Sequence, residues 1–387
     1  MDGIDVLIVA IKAVVVFGFL LVSVMMTIWV ERRIVAFMQQ RIGPNRVGPF
    51  GMLQSLADGV KLFFKEDVRP SSAHEPVFTL APLLSMIPAF MAFAIVPMGT
   101  GFHIGDRLIT FQLADLNVGV LFFLAMGSLM VYGVVLAGWA SGSAYPLLGA
   151  VRSTAQMISY EIGLGLASVA VVLWAGTLST RGIVDAQAGT YLGFIPRWFI
   201  FPQFPAFLLF LLAGLAETNR PPFDLPEAET ELVAGYHTEY SGIKFAMFFL
   251  AEYLHVITTS ALVVTLFLGG WRGPIIPFVE PLWPVVWFMG KMGALIFFFI
   301  WARATIPRIR YDRLMAIGWK VFIPAGLAWV MITAALVVLP QEVDRGTLIA
   351  WIGVIFGLAA VMTLAKVTRD NLASLRAIKE GESLGRR

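Results

Sequence analysis

Residues 4–30 read IDVLIVAIKAVVVFGFLLVSVMMTIWV, a run broken only by Asp5 and Lys12 and ended by Glu31. About 20 apolar residues, at 1.5 Å rise each, cross the ~30 Å hydrocarbon core of a bilayer. This run is too long for a cleaved signal peptide and carries Lys12 inside it, so it is expected to stay in the mature chain as a membrane helix. Further stretches of the same kind lie at roughly 77–98, 115–138, 155–175, 198–216, 244–268, 284–302, 319–339 and 348–366. The expectation is an all-α, polytopic transmembrane bundle of about nine spans.

The whole composition agrees with that reading. The chain is 58% hydrophobic and 14% charged, with a mean hydropathy of +0.82, and no water-soluble domain of ordinary surface-to-volume ratio tolerates that balance. Its 36 Gly and 21 Pro suit membrane helices, whose neighbours re-satisfy freed backbone groups. No cysteine is present, which excludes disulfides, thiolate nucleophiles, iron-sulfur ligation and Cys-type zinc sites in this chain. Any redox centre must sit on a partner.

The positive charge follows topology rather than nucleic acid. Of the 28 Lys and Arg, 21 fall in one alternating set of loops and the C-terminal tail, 5 fall on the opposite side, and Lys12 and Lys291 lie inside spans. Excess positive charge marks the cytoplasmic side, so the N-terminus is expected outside and the C-terminus inside. The expected organisation is a single transmembrane domain over 1–366, with cytoplasmic loops at about 31–76, 139–154, 217–243 and 303–318, and a charged tail over 367–387. In the first of these loops, residues 52–65 put Gln54, Asp58, Lys61 and Lys65 on one helical stripe and Leu53, Leu56, Val60 and Phe63 on the other. Fourteen residues reach only ~21 Å, so this amphipathic helix should lie in the interface.

Carboxylates inside apolar runs are the strongest chemical signal, because each costs at least ~2.5 kcal/mol on insertion scales. Glu161 lies in the fourth span, Glu252 about two turns into the sixth, and Glu217 at the cytoplasmic end of the fifth. Low dielectric makes the charged form costly, which is what a group exchanging protons near neutral pH requires. The alternative is a structural ion pair between helices, with Lys291 or Arg303 as partner. Glu252 and His255 share a helical face, but without further acids at matching depth they read as a proton relay or a core histidine rather than a metal site; no metal site is expected.

Two cytoplasmic loops add charge. The segment 217–242 sets Glu217, Asp224, Glu227, Glu229, Glu231 and Glu239 against Arg220. Acids this close cannot all ionise without cations, so they either share protons and pair with other loops or form a solvated surface that binds a partner. The segment 31–49 holds Arg32, Arg33, Arg41 and Arg46 on two Gly-Pro turns, which fix the arginines on a shaped surface. On charge alone an ordinary lipid-headgroup anchor is the favoured reading.

The string Glu31 to Gly51, the segment Ser159-Tyr160-Glu161, the Glu217 to Gly242 loop and Arg303-Ala304-Thr305-Ile306-Pro307-Arg308 closely resemble the H-subunit family of bacterial respiratory complex I, the NADH-quinone oxidoreductase, whose mitochondrial homologue is NADH dehydrogenase subunit 1. The likeness runs in order from about residue 10 to about 339. It implies a multi-pass subunit of the bacterial cell membrane, bound to other membrane-arm subunits and to peripheral-arm subunits that carry flavin and iron-sulfur clusters. Quinone would be substrate rather than a covalently held group, and this chain would carry no redox centre.

The resemblance implies roles for particular positions. Glu31, Arg32, Arg33, Arg41, Arg46, Asp58 and Lys65, with Arg303 and Arg308, would border a quinone chamber. Asp224, Glu227, Glu229 and Glu231 would lie beneath it, and Glu161, Glu217 and Glu252 would begin a proton path. The span at 348–366 and the tail are additions relative to shorter members. A membrane subunit of an energy-converting hydrogenase, which binds no quinone, and a stand-alone ion transporter are the competing readings. Taken whole, the Glu217 to Gly242 loop favours the quinone enzyme.

Overall fold

The computed structural model describes residues 3–104, 107–191, 195–224, 232–273 and 282–338. The opening run folds as α1 (Gly3–Met38), followed by the short α2 (Gln54–Phe64), α3 (Glu75–Ala92), α4 (Gly119–Ala140), α5 (Ala144–Ala175) and α6 (Thr180–Ala186). Then come α7 (Phe204–Glu217), α8 (Gly242–Phe267), α9 (Trp283–Thr305), α10 (Tyr311–Ile317) and α11 (Ile323–Val338), the last two joined by a π-helical turn, Gly318–Phe322. Two short antiparallel hairpins, Phe102–Ile104 with Arg107–Ile109 and Thr190–Tyr191 with Ile195–Pro196, are the strands among the described residues.

Seven described helical stretches, counting Tyr311–Val338 from α10 through α11 as one, are long and apolar enough to cross a membrane, and α7 is a shorter apolar helix in the place of the fifth expected span. This is the expected polytopic helical bundle. The ninth stretch, 348–366, and the tail lie outside the described residues. Residues Met1–Val337 form one compact unit.

At the centre stands α8, whose polar as well as apolar side chains are buried from Tyr253 to Phe267. It packs on α3, α1, α9 and α7, while α4 joins α3 to α5 and α5 joins α4 to α7. Small residues permit these close approaches, as expected where helices associate by packing rather than by expulsion of water. A methyl group on Gly149 of α5, for example, would meet the Gly235 Cα at 2.7 Å. Conversely α1 leaves Ile4, Leu7, Val14 and Phe17 at least half exposed, which is tolerable only where lipid or another apolar chain is the solvent.

Two elements differ from the expectation in instructive ways. The first helix does not stop where hydrophobicity stops at Val30 but continues to Met38, carrying Glu31, Arg32 and Arg33 on its last turns. The fifth span, expected over 198–216, is helical only from Phe204. Before that its backbone is irregular but paired: Ile200 N donates to Phe267 O at 2.9 Å and Gln203 N to Phe199 O at 2.8 Å, while the buried Gln203 side chain accepts from Trp329 Nε1 at 2.6 Å. Non-helical backbone at membrane depth is acceptable when protein satisfies it in this way.

The amphipathic stretch forms as expected. Its polar side is held to α1 through Arg32 Nη1 to Asp58 at 2.6 Å and Ser55 Oγ to Met25 O at 3.1 Å. Its apolar side, with Leu56, Val60, Phe63 and Phe64, is exposed.

Candidate functional site

The charged end of α1 meets the centre of the bundle at Glu31. Its carboxylate is buried and accepts hydrogen bonds from Arg303 of α9 and from Tyr253 Oη of α8 at 2.8 Å. Arg220, just beyond α7, stands between two acids, with Nη1 3.9 Å from Glu31 and Nη2 3.6 Å from Glu252 of α8. Its guanidinium lies over the Tyr253 ring, 4.2 Å from the centroid, and Nη1 also donates to Tyr253 Oη at 3.4 Å. A planar cation suits this stacking in a way that a lysine ammonium does not.

Above this group opens a cleft of about 810 Å³. Its walls combine charge from Glu31, Arg32, Arg41, Arg220 and Arg303 with apolar surface from Val35, Ile42, Phe249 and Ala304. A cleft whose lining mixes charged and apolar side chains in this way suits an amphipathic ligand with a polar head.

Below it the polar chain continues into the bundle. Glu252 accepts from Tyr236 Oη at 2.9 Å. A small void lined by Glu252, Tyr236, His255 and Glu217 carries the line inward. One turn along α8, His255 Nε2 is 3.4 Å from Glu217 Oε1, and its ring stacks on Phe123 of α4. Glu217 Oε2 is buried without a hydrogen-bond donor among the described residues, a costly arrangement that structure alone does not favour. The line ends at Glu161 of α5, which interacts electrostatically with Glu217 and His255 and is hydrogen-bonded to Ser128 of α4. Glu31, Glu252, Glu217 and Glu161 thus come from four helices and meet along one path, Glu31 and Glu217 buried and Glu252 and Glu161 half-buried.

Gln156 of α5 fixes the entrance to the acidic loop. Its amide donates to Ala216 O and Phe223 O, each at 2.7 Å. Further along, Asp224 pairs with Arg308 at 2.9 Å and interacts electrostatically with Glu252. Glu227, Glu229 and Glu231 lie outside the described residues.

The remaining sequence candidates divide. Arg32 and Arg41 line the cleft, whereas Arg33 stacks against Trp29, Phe37 and Phe50, and Arg46 and Lys65 are exposed. Burial pushes the Asp58 carboxyl up, but hydrogen bonds from Arg32 and Gln54 and the charges of Arg32 and Lys61 together hold it below its ordinary value. Of the two cations considered as structural partners for the membrane glutamates, Arg303 acts on Glu252 electrostatically but makes no ion pair with it. Lys291 instead donates to Leu268 O, Gly270 O and Arg272 O at the end of α8, where a cation offsets the unpaired carbonyls of a helix C-terminus, and Arg303 binds Glu31.

Sequence reasoning passes over Arg220, Tyr253 and Tyr236 as site residues. Arg220 carries a signal, as the lone cation in an acid-rich loop. The tyrosines carry none, since an aromatic residue in a membrane helix, like Tyr253, or in a loop, like Tyr236, reads as packing.

Comparison with known proteins places these residues in a family. The profile of the NADH dehydrogenase family matches residues 11–334. The H-subunit of NADH-quinone oxidoreductase from Frankia alni is 53% identical over 386 residues, covering 96% of this chain and 84% of the relative. The H-subunit from Frankia casuarinae is 52% identical over 388 residues, covering 97% and 84%. With a match that runs through the described bundle from α1 to α11, the chain belongs to the NADH dehydrogenase family, as a multi-pass membrane subunit of complex I.

Proposed function

We propose that this subunit walls the chamber through which quinone reaches its reduction site, and that the buried line from Glu31 to Glu161 is the first part of the proton path driven by that reduction. Electrons arrive from flavin and iron-sulfur clusters on partner subunits, and quinone is the substrate in the cleft. The observation that carries the reading is continuity: a cleft lined by Glu31, Arg220 and Arg303 leads through Arg220 to Glu252, and from there through His255 and Glu217 to Glu161.

The physical coupling is electrostatic. Reduced quinone carries negative charge until it is protonated, and that charge competes with Glu31 for Arg303 and Arg220. Arg220 also faces Glu252, so a change at the base of the cleft alters the field on Glu252. In a low dielectric two unit charges a few ångströms apart interact by several kcal/mol, enough to move protons among acids titrating as a coupled set. The acidic loop, with Asp224, Glu227, Glu229 and Glu231, supplies protons from the cytoplasmic side. The N-terminus lies outside, and the peripheral-arm partners dock on the loops that hold most of the positive charge.

Glu161→Gln removes charge and keeps shape. In the purified complex, reconstituted in liposomes, it should cut quinone reductase activity and proton pumping together by about tenfold or more, typical of losing a positioned proton-transfer group. Wild-type pumping and quinone turnover in this variant would defeat the assignment.

A further inference from the structure

We propose that Gly127 of α4 is a positioning residue of the proton path: by presenting no side chain, it lets the carboxyl groups of Glu217 and Glu161 converge on one point of the α4 backbone. The inference rests on the proton-path reading above and deepens it.

A methyl group built on Gly127 would lie 3.2 Å from Glu217 Oε1 and 3.9 Å from Glu161 Oε1, and among the described residues no other atom comes within 4 Å of it outside the chain's own turn. The usual reasons for a buried helical glycine are therefore missing. Its backbone is not among those with positive φ, so alanine fits its conformation and would favour the helix. Nor is it pressed against a neighbouring helix. By contrast Gly133, in the same helix, faces the backbone of α3, with Ser85 N at 2.8 Å and Ala81 O at 3.0 Å from its added methyl. What lies against Gly127 is a pair of acid heads, delivered by α7 and α5.

The next residue sharpens the point. The hydroxyl of Ser128 has one proton and two partners, Leu124 O at 3.1 Å and Glu161 Oε1. When it donates to Glu161, that acid is held as acceptor. When it donates to Leu124, Glu161 is free to carry the proton and donate in turn. The step served by this geometry is a proton transfer in which an O–H bond of the Glu217 carboxyl breaks and one forms on the Glu161 carboxylate, negative charge moving the other way. A methyl group at 3.2 Å must push the Glu217 head aside, and proton transfer falls steeply with misplacement.

The test uses intact complex in membranes and in liposomes, with assembly measured by NADH oxidation with a water-soluble acceptor. Gly127→Ala should assemble normally, yet lose about tenfold in both quinone reductase rate and proton pumping. Gly165→Ala, in α5 with no atom within 4 Å of the added methyl, should match the wild type. Glu161→Gln and Glu217→Gln, measured beside them, separate the two ideas. If these two pump normally the proton path itself fails, whereas if they are impaired and Gly127→Ala pumps normally the Gly127 proposal is overturned. Should Gly127→Ala not assemble, it is read on the background of Glu217→Asp, whose shorter side chain withdraws from the methyl. The double variant should then match Glu217→Asp alone, and a further multiplicative loss would overturn the proposal.

Discussion

Arg220 is the residue on which the chain of charges turns, because it faces Glu31 on one side and Glu252 on the other while stacked on Tyr253. Removing one member of a buried pair leaves the other uncompensated, at a cost of about 3–5 kcal/mol. Arg220→Gln should therefore lower the amount of assembled complex in membranes, and Arg220→Gln/Glu252→Gln should recover part of it. A double variant assembling no better than the single one would show that Glu252 does not depend on Arg220. The acids of this line are legible in the sequence, since a carboxylate inside an apolar run needs a reason to be there. Their order is not, because it depends on which helices become neighbours. Lys291 shows the same limit: an intramembrane lysine reads as a partner for an intramembrane acid, but in the folded chain it caps the carbonyls at the end of α8.

At the scale of elements, α2 is held to α1 by polar contacts while its apolar face is bare. Its periodicity makes it readable, and at 11 residues it is too short to span a bilayer. The polar end of α1 is hidden because hydrophobic patterning stops at Val30 although helical backbone continues to Met38. The docking of α2 has a pH signature. Asp58 is held below its ordinary carboxylate value by Arg32, so the pair contributes fully above about pH 4, the unperturbed carboxylate value, and fades as pH falls through the lowered folded value. The pair is half in solvent, so its worth is about 0.2–1 kcal/mol. Amide protection over residues 54–64, taken relative to the unstructured rate at each pH, should fall on acidification below about pH 4 and should already be lower at neutral pH in Asp58→Asn. Equal exchange in the variant and the wild type would argue that Ser55 and apolar contacts alone hold the helix.

For the whole molecule, charge asymmetry predicts which side each terminus faces, and the absence of cysteine makes this directly measurable. Single substitutions Ser71→Cys and Asn117→Cys, both at exposed positions, should react with a membrane-impermeant maleimide from opposite sides, Ser71→Cys from the cytoplasmic face and Asn117→Cys from the outer face. The reverse pattern would invert the proposed topology. Under the function proposed above, this orientation turns the cleft toward the peripheral-arm partners.

The most direct measurement is infrared difference spectroscopy of the assembled complex on reduction of its bound quinone, read in the C=O stretch of protonated carboxyl groups. If the buried acids answer the charge in the cleft, the wild type gives a carboxyl difference band that is diminished in Glu252→Gln and in Glu161→Gln. A difference spectrum in which both variants retain the wild-type band would mean that quinone reduction does not reach these side chains.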